Sequence, residues 1–140
     1  MTSARTGGSE KEAALPDLDS VGVSLANYEE SKVLCRATFL LPCHAALFRD
    51  HFPGQPLMPA IGLLYLCDWM IRRWRGGNVR IATLRRVRFT EPVRPDVRLE
   101  IELTWRGSQR LSMVARSESG EHGSGELCIL AIPRQEAEHS

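Results

Sequence analysis

Between Ala60 and Ile71 the chain reads Ala-Ile-Gly-Leu-Leu-Tyr-Leu-Cys-Asp-Trp-Met-Ile, and this run constrains the fold more than any other stretch. Wound into a helix, its Ile61, Leu63, Leu64, Leu66, Cys67, Trp69, Met70 and Ile71 occupy nearly every face. A surface helix carries one apolar stripe, whereas a helix apolar all round must be wrapped by protein. Pro59 suits the first turn, where a missing N–H has no partner to lose, and Gly76-Gly77-Asn78 supplies residues able to take φ > 0 at the end. The helix is expected from about Met58 to Trp74. The run contains Tyr65 and Asp68 and falls short of the ~20 apolar residues a transmembrane helix needs, so no membrane span is expected.

The wrapping material follows in the sequence. Val79, Ile81, Val87 and Phe89 fit a strand with an irregularity near Thr83 to Arg86. Val97, Leu99, Ile101, Leu103 and Trp105 then alternate with Arg98, Glu100, Glu102 and Thr104, the clearest period of two in the chain. Arg106-Gly107-Ser108-Gln109 turns into Leu111, Met113 and Ala115, and a Gly- and Ser-rich connection holding His122 leads to a last strand, Glu126 to Ile132, ended by Pro133. Upstream, Val21, Val23 and Leu25 alternate as a short edge strand, and Val33 to Leu41 reads as a strand stopped by Pro42. One buried helix and antiparallel strands make an α+β protein, with a curved antiparallel sheet wrapped around one long central helix. Residues 1–16, rich in Ser, Gly, Thr and charge, are expected as a disordered tail, 17–133 as a single domain and 134–140 as a C-terminal tail.

The loop before the helix carries the chemistry. His51-Phe52-Pro53-Gly54-Gln55-Pro56-Leu57-Met58-Pro59 places one imidazole among prolines that fix φ and remove backbone donors. A titratable ring is thereby held by stiff backbone just before the positive end of a helix, an arrangement suited to proton abstraction beside a carbonyl. His44 reads as solvated, and His122 and His139 fall in polar loop and tail. No His, Cys or carboxylate cluster has metal-ligand spacing, so no metal is expected. Cys35, Cys43, Cys67 and Cys128 lack any CxxC pattern and read as reduced thiols; with no secretory leader pattern, this makes a cytoplasmic protein the expectation.

The nonapeptide His51 to Pro59 resembles the loop of the hot-dog-fold 3-hydroxyacyl-carrier-protein dehydratases of bacterial fatty-acid synthesis. Phe39-Leu40-Leu41-Pro42 and Leu47-Phe48 upstream are similar to the aryl-polyene dehydratase branch. Val87-Arg88-Phe89-Thr90-Glu91-Pro92-Val93-Arg94-Pro95-Asp96 downstream is similar to the family's strand and turn. The resemblance spans roughly residues 31 to 132. It implies a hot-dog fold, and an activity that dehydrates a 3-hydroxyacyl thioester on an acyl-carrier protein to the trans-2-enoyl thioester, in fatty-acid, polyketide or aryl-polyene assembly. It also implies no cofactor beyond the phosphopantetheine that carries the substrate.

Residue by residue, the resemblance makes His51 the base that takes the C2 proton and the N–H of Ala60 the donor to the thioester oxygen. Phe52, Gly54, Pro59, Ala60 and Ile61 are its substrate-binding positions. It also exposes departures. The family's helix carboxylate, fourteen residues after the histidine, is Tyr65 here; Ala60 and Asp50 stand where the family has glycines. Tyr65 can replace the acid, because a phenol is protonated at neutral pH, or it can be core. Asp68, one turn on and about 60° round the helix, is the alternative acid, with an i,i+4 salt bridge to Arg72 as its ordinary structural reading. Two rival functions follow from the same residues: a non-catalytic hot-dog subunit partnering an active dehydratase, and a hot-dog thioesterase in which Asp68 activates water.

Eight arginines and one acid fall between residues 72 and 94, while the whole chain carries a net charge of +1. A basic rim of this kind is either a solvated sheet face or a dock for an acidic acyl-carrier protein. Aromatic residues do not interleave with the arginines, so nucleic-acid binding is not expected. A hot-dog sheet leaves an edge, and a homodimer or a heterodimer with another hot-dog subunit is expected.

Overall fold

Alternation in the strand Val97–Gly107 turns Leu99, Ile101 and Leu103 inward, where each is fully buried, and leaves Glu100 and Glu102 on the other side. The same logic builds the rest. The structure, a computed structural model, describes residues 17–45, 48 and 60–133. Its elements are β1 (Ser24–Glu30), β2 (Leu34–Leu41), α1 (Ala60–Arg75), β3 (Val79–Phe89), β4 (Val97–Gly107), β5 (Arg110–Ser117) and β6 (Gly120–Ala131). The strands form one antiparallel sheet in the order β1-β2-β4-β5-β6-β3, which makes β1 and β3 its edges. This is the expected α+β hot-dog arrangement.

Helix α1 lies on the inner face of the sheet. Leu66, Cys67, Met70 and Ile71 are fully buried in one core with Phe39, Leu99, Ile101, Leu111, Met113 and Leu127. Each large apolar side chain removed from water stabilises by roughly 1.5–3 kcal/mol, so this contact dominates the fold. Trp69 meets the rings of Tyr28 and Phe39 edge-on at 6.0 and 5.9 Å. At the C-terminal end of the helix, Trp74 Nε1 donates to the Ser31 carbonyl at 2.8 Å, and Arg75 stacks over the rings of Trp74 and Trp105 while donating to the Lys32 carbonyl. The outer face of the sheet is charged: Arg36 pairs with Glu29, Glu100 and Glu102, and Arg116 with Glu102.

Three expectations need correction. The edge strand runs from Ser24 to Glu30 rather than through Val21, because Asp19–Val21 form a 3-10 turn that closes on Gly22 at φ 78°. A register shift between Leu25 and Asn27 erases the alternation that would have announced it. Second, the Gly- and Ser-rich connection is strand, since β6 begins at Gly120. Its glycines serve close approach rather than a turn: a Cβ on Gly125 would sit 2.6 Å from Val87 Cα. Third, α1 is not wrapped on every side, for Ile61 is 69% exposed and Leu64, Tyr65 and Asp68 are only partly covered. The irregularity expected in β3 is present, with register shifts at Ile81/Thr83 and Arg85/Arg88. The expected tails, 1–16 and 134–140, lie outside the described residues.

Gly125→Ala therefore forces β3 and β6 apart and should destabilise the protein by about 1–3 kcal/mol, the usual cost of overpacking. Urea denaturation of this variant beside Ser124→Ala, which meets no such contact, checks it.

Candidate active site

Residues 61, 64, 65, 68 and 72 recur at helical spacing, so Ile61, Leu64, Tyr65, Asp68 and Arg72 form one stripe along α1. This is the stripe the sheet leaves open. Its Ile61, Leu64, Tyr65 and Asp68, with Arg80, Ile81, Ala82, Thr83 and Leu84 of β3, line an open cleft of about 570 Å³. The cleft opens beside the free edge of β3, which pairs only with β6 among the described strands.

Tyr65 lies partly buried in this cleft. Burial first, and then the carboxylates of Asp17 and Asp68, raise its hydroxyl above the ordinary phenol range, with Arg72 opposing. A phenol raised above 10 carries its proton throughout the neutral range, so Tyr65 is a hydrogen-bond donor there. Asp68 has a different occupation. Its Oδ2 accepts from Arg72 at 3.2 Å, in the i,i+4 pair expected from the sequence, and Arg72 Nε reaches the Gly77 carbonyl at 3.4 Å. A carboxylate engaged in this way serves as an acceptor and an anchor for the helix end. Arg80 donates to the carbonyls of Gly77 and Val79 at 2.7 and 3.1 Å.

The structure thus brings Ile61, Tyr65 and Asp68 together in one cleft and places Ala60 as the first residue of α1. An N–H there has no acceptor within the helix. His51, Phe52, Gly54 and Pro59 lie outside the described residues. His44 is exposed, as expected. Among the described residues no group of three His, Cys, Asp or Glu side chains could hold a metal. Arg80 was not anticipated as a lining residue; a strand position between the inward-reading Val79 and Ile81 looks solvent-facing until the helix end closes over it.

His122 also departs from expectation. It sits in β6, 2% exposed, rather than in a polar loop. Nδ1 lies 2.8 Å from the Glu91 carbonyl and Nε2 2.7 Å from Ser117 Oγ. A neutral ring satisfies both, donating from Nδ1 and accepting the serine hydroxyl at Nε2. The segment after β3 is tied to β6 again by Thr90, whose N–H donates to the His122 carbonyl at 3.0 Å and whose hydroxyl donates to the Glu121 carbonyl at 2.8 Å.

The family model described as ApeI-like, ApeI dehydratase, matches residues 27–126. The chain belongs to the ApeI-like dehydratase family. Among solved structures, the dehydratase heterocomplex ApeI:P from Xenorhabdus doucetiae superposes with a TM-score of 0.69 at 18% identity, covering 76% of this chain and 96% of that one. Cj0977, a sigma28-regulated virulence protein from Campylobacter jejuni, has a TM-score of 0.64 at 13% identity, covering 88% and 96%. Identities this low speak for the hot-dog fold alone. In sequence, 64 residues are 31% identical to a 3-hydroxyacyl-[acyl-carrier-protein] dehydratase FabZ from Syntrophobacter fumaroxidans, a match over 40% of this chain and 44% of that protein. The aligned part is under half the length of this curated relative. The expectation of an ApeI-like hot-dog dehydratase family member holds.

In this ApeI-like chain, His122→Leu should cost about 1–3 kcal/mol in chemical denaturation, because the Glu91 carbonyl loses a part-buried hydrogen bond and the Ser117 hydroxyl is left with Ser119. A stability equal to wild type would remove His122 from the fold's internal hydrogen bonding.

Proposed function

We propose that the chain dehydrates a 3-hydroxyacyl thioester carried on an acyl-carrier protein to the trans-2-enoyl thioester, in fatty-acid, polyketide or aryl-polyene assembly. The observation that carries this reading is Tyr65: a phenol that keeps its proton, in the cleft, at the position where the family has its helix carboxylate. Its role is to protonate the hydroxyl leaving C3. His51 takes the C2 proton, and the Ala60 N–H steadies the negative charge on the thioester oxygen. As the C3–O bond breaks, the C2 electrons form the double bond and the Tyr65 proton leaves in water. The phenolate then regains a proton from the His51 imidazolium or from solvent. Asp68, held by Arg72, positions the helix end instead of donating. That engagement also disfavours the thioesterase alternative, which needs Asp68 to activate water.

A cleft that opens at a strand edge is complete only when something covers that edge. A second hot-dog subunit paired along β3 would bury the exposed Ile61 and Leu84 and close the cleft. The heterocomplex among the similar structures makes a different hot-dog chain a natural candidate. The non-catalytic subunit stays as the second reading, favoured by the same Tyr65 that replaces the family's carboxylate. No helix among the described residues is long and apolar enough to cross a membrane, and a cytoplasmic protein working on a soluble carrier is in keeping with that.

The basic rim is narrower than the sequence implied. Arg72 and Arg80 bond to groups at the helix end, Arg73 lies over Tyr28, and Arg75 lies over Trp74 and Trp105. Arg94 and Arg98, on either side of the turn before β4, are exposed and are the proposed contacts for an acidic carrier. Arg94→Glu with Arg98→Glu should raise KM for carrier-bound substrate and spare turnover of a small pantetheine thioester; equal loss on both would place these arginines outside carrier docking.

Residue exchange tests the chemistry. Tyr65→Phe should lower the rate by about 10²–10⁴, the usual worth of a positioned general acid, and His51→Ala should abolish turnover with the circular dichroism spectrum unchanged. Asp68→Asn should leave the rate within a few-fold of wild type. A silent Tyr65→Phe with a dead Asp68→Asn would reverse the assignment. A wild type without turnover that gains it in Tyr65→Glu would establish the partner-subunit reading.

A further inference from the structure

The eleven residues of β3 are Val-Arg-Ile-Ala-Thr-Leu-Arg-Arg-Val-Arg-Phe, with four arginines and no acid. Its outer edge is bordered by exposed apolar groups, Leu84 and Phe89 at 41% and Ile61 at 69%. Apolar groups and unpaired backbone invite a strand, while the arginines restrict which strand is admitted. Arg85 approaches Glu126 on β6 only at 3.9 Å, and Arg86 and Arg88 are exposed. Arg86 also adopts φ 53° at the irregular part of the strand. Building on the reading that a second hot-dog subunit covers this edge, we propose that the β3 arginines select a non-identical partner, one whose matching strand edge carries carboxylates, over a second copy of this chain.

Geometry supplies the reason. Two copies pairing antiparallel about a two-fold axis at position c bring residue n opposite residue 2c − n. An axis at Leu84 sets Arg80 against Arg88; one at Arg85 or Arg86 sets that residue against itself; one at Val87 sets Arg86 against Arg88. Axes midway between Arg85 and Arg86, or between Arg86 and Val87, set Arg85 against Arg86 or Arg88. The single exception in this span, midway between Leu84 and Arg85, still leaves Arg85 diagonal to Arg86 of the second copy. Like charges directly opposite destabilise a strand pair, and here neither strand offers a carboxylate to relieve them. A partner with Asp or Glu at those positions gains from the same arginines what a second copy loses.

The other sheet edge does not provide that partner within the chain. In β1, Glu29 is bound by Arg36 at 2.7 Å, and Glu30 accepts from the Tyr28 hydroxyl. Head-to-tail pairing of β1 on β3 would also continue without closing and give open polymers.

A charge-swapped copy of the same chain serves as the probe. Arg86→Glu with Arg88→Glu keeps Arg85 and its neighbour Glu126 untouched and changes only exposed side chains; matching circular dichroism and melting of the two proteins confirm the fold. Light scattering and sedimentation at low salt should show the mixture of wild type and variant forming a dimer with a dissociation constant at least about tenfold below that of wild type alone, a preference that shrinks in high salt. Arg86→Gln with Arg88→Gln, which removes the direct repulsion in every register of this span except the one centred on Arg85 and adds no attraction, should self-associate more tightly than wild type. A wild-type homodimer as tight as the mixture and indifferent to salt would overturn the arginine selection while leaving pairing along β3 intact. If no combination associates, pairing along β3 itself fails and takes the selection with it. Masses rising past a dimer in wild type alone would overturn the proposal in favour of β1 on β3.

Discussion

Everything in this molecule depends on a helix with more apolar surface than one sheet can cover. Leu66, Cys67, Met70 and Ile71 are sealed against β2, β4, β5 and β6, and burial of that order sets the fold. The remaining stripe, from Ile61 through Tyr65 to Asp68, has nowhere to go within the described chain. Site and assembly are therefore the same problem. The face that needs covering is the face that holds the candidate acid, and the strand beside it has an unused edge.

On the proposed reading, one fold changes its acid at a single position of this stripe. Carboxylate and phenol differ in size and in the pH range over which they hold a proton, yet both can donate from the same helix position to a group in the cleft. Burial raises the Tyr65 phenol further above the neutral range, while Arg72 keeps Asp68 occupied as an acceptor. Two oxygen-bearing side chains one turn apart are thereby given different work by their neighbours.

Much of this was legible in the amino-acid sequence because period and burial agree there. The alternation in β4 predicted its buried set, and the apolar run with Gly76-Gly77-Asn78 predicted α1. The Asp68–Arg72 pair followed from spacing alone. What escaped the sequence lay where two opposing rules met. Gly123 and Gly125 read as a connection, since glycine more often marks a loop than the close crossing of two strands, and His122 was carried into that loop with them. β1 was hidden by its register shift. The face of α1 that stays open has the same residue types as the faces that close, and only the order of strands in the sheet distinguishes them. Tertiary topology, not local pattern, also sorts the arginines into those fixed at the helix end and those left on the β3 edge and the turn beyond it.

The central claim is that the cleft removes water from a 3-hydroxyacyl thioester. Ultraviolet absorbance and a thiol assay on the same reaction, run across hydroxyacyl chain lengths on carrier and on pantetheine, test it directly. The account predicts growth of the conjugated enoyl-thioester absorbance with no free thiol. Release of thiol, or no change in either signal at every chain length, would contradict it.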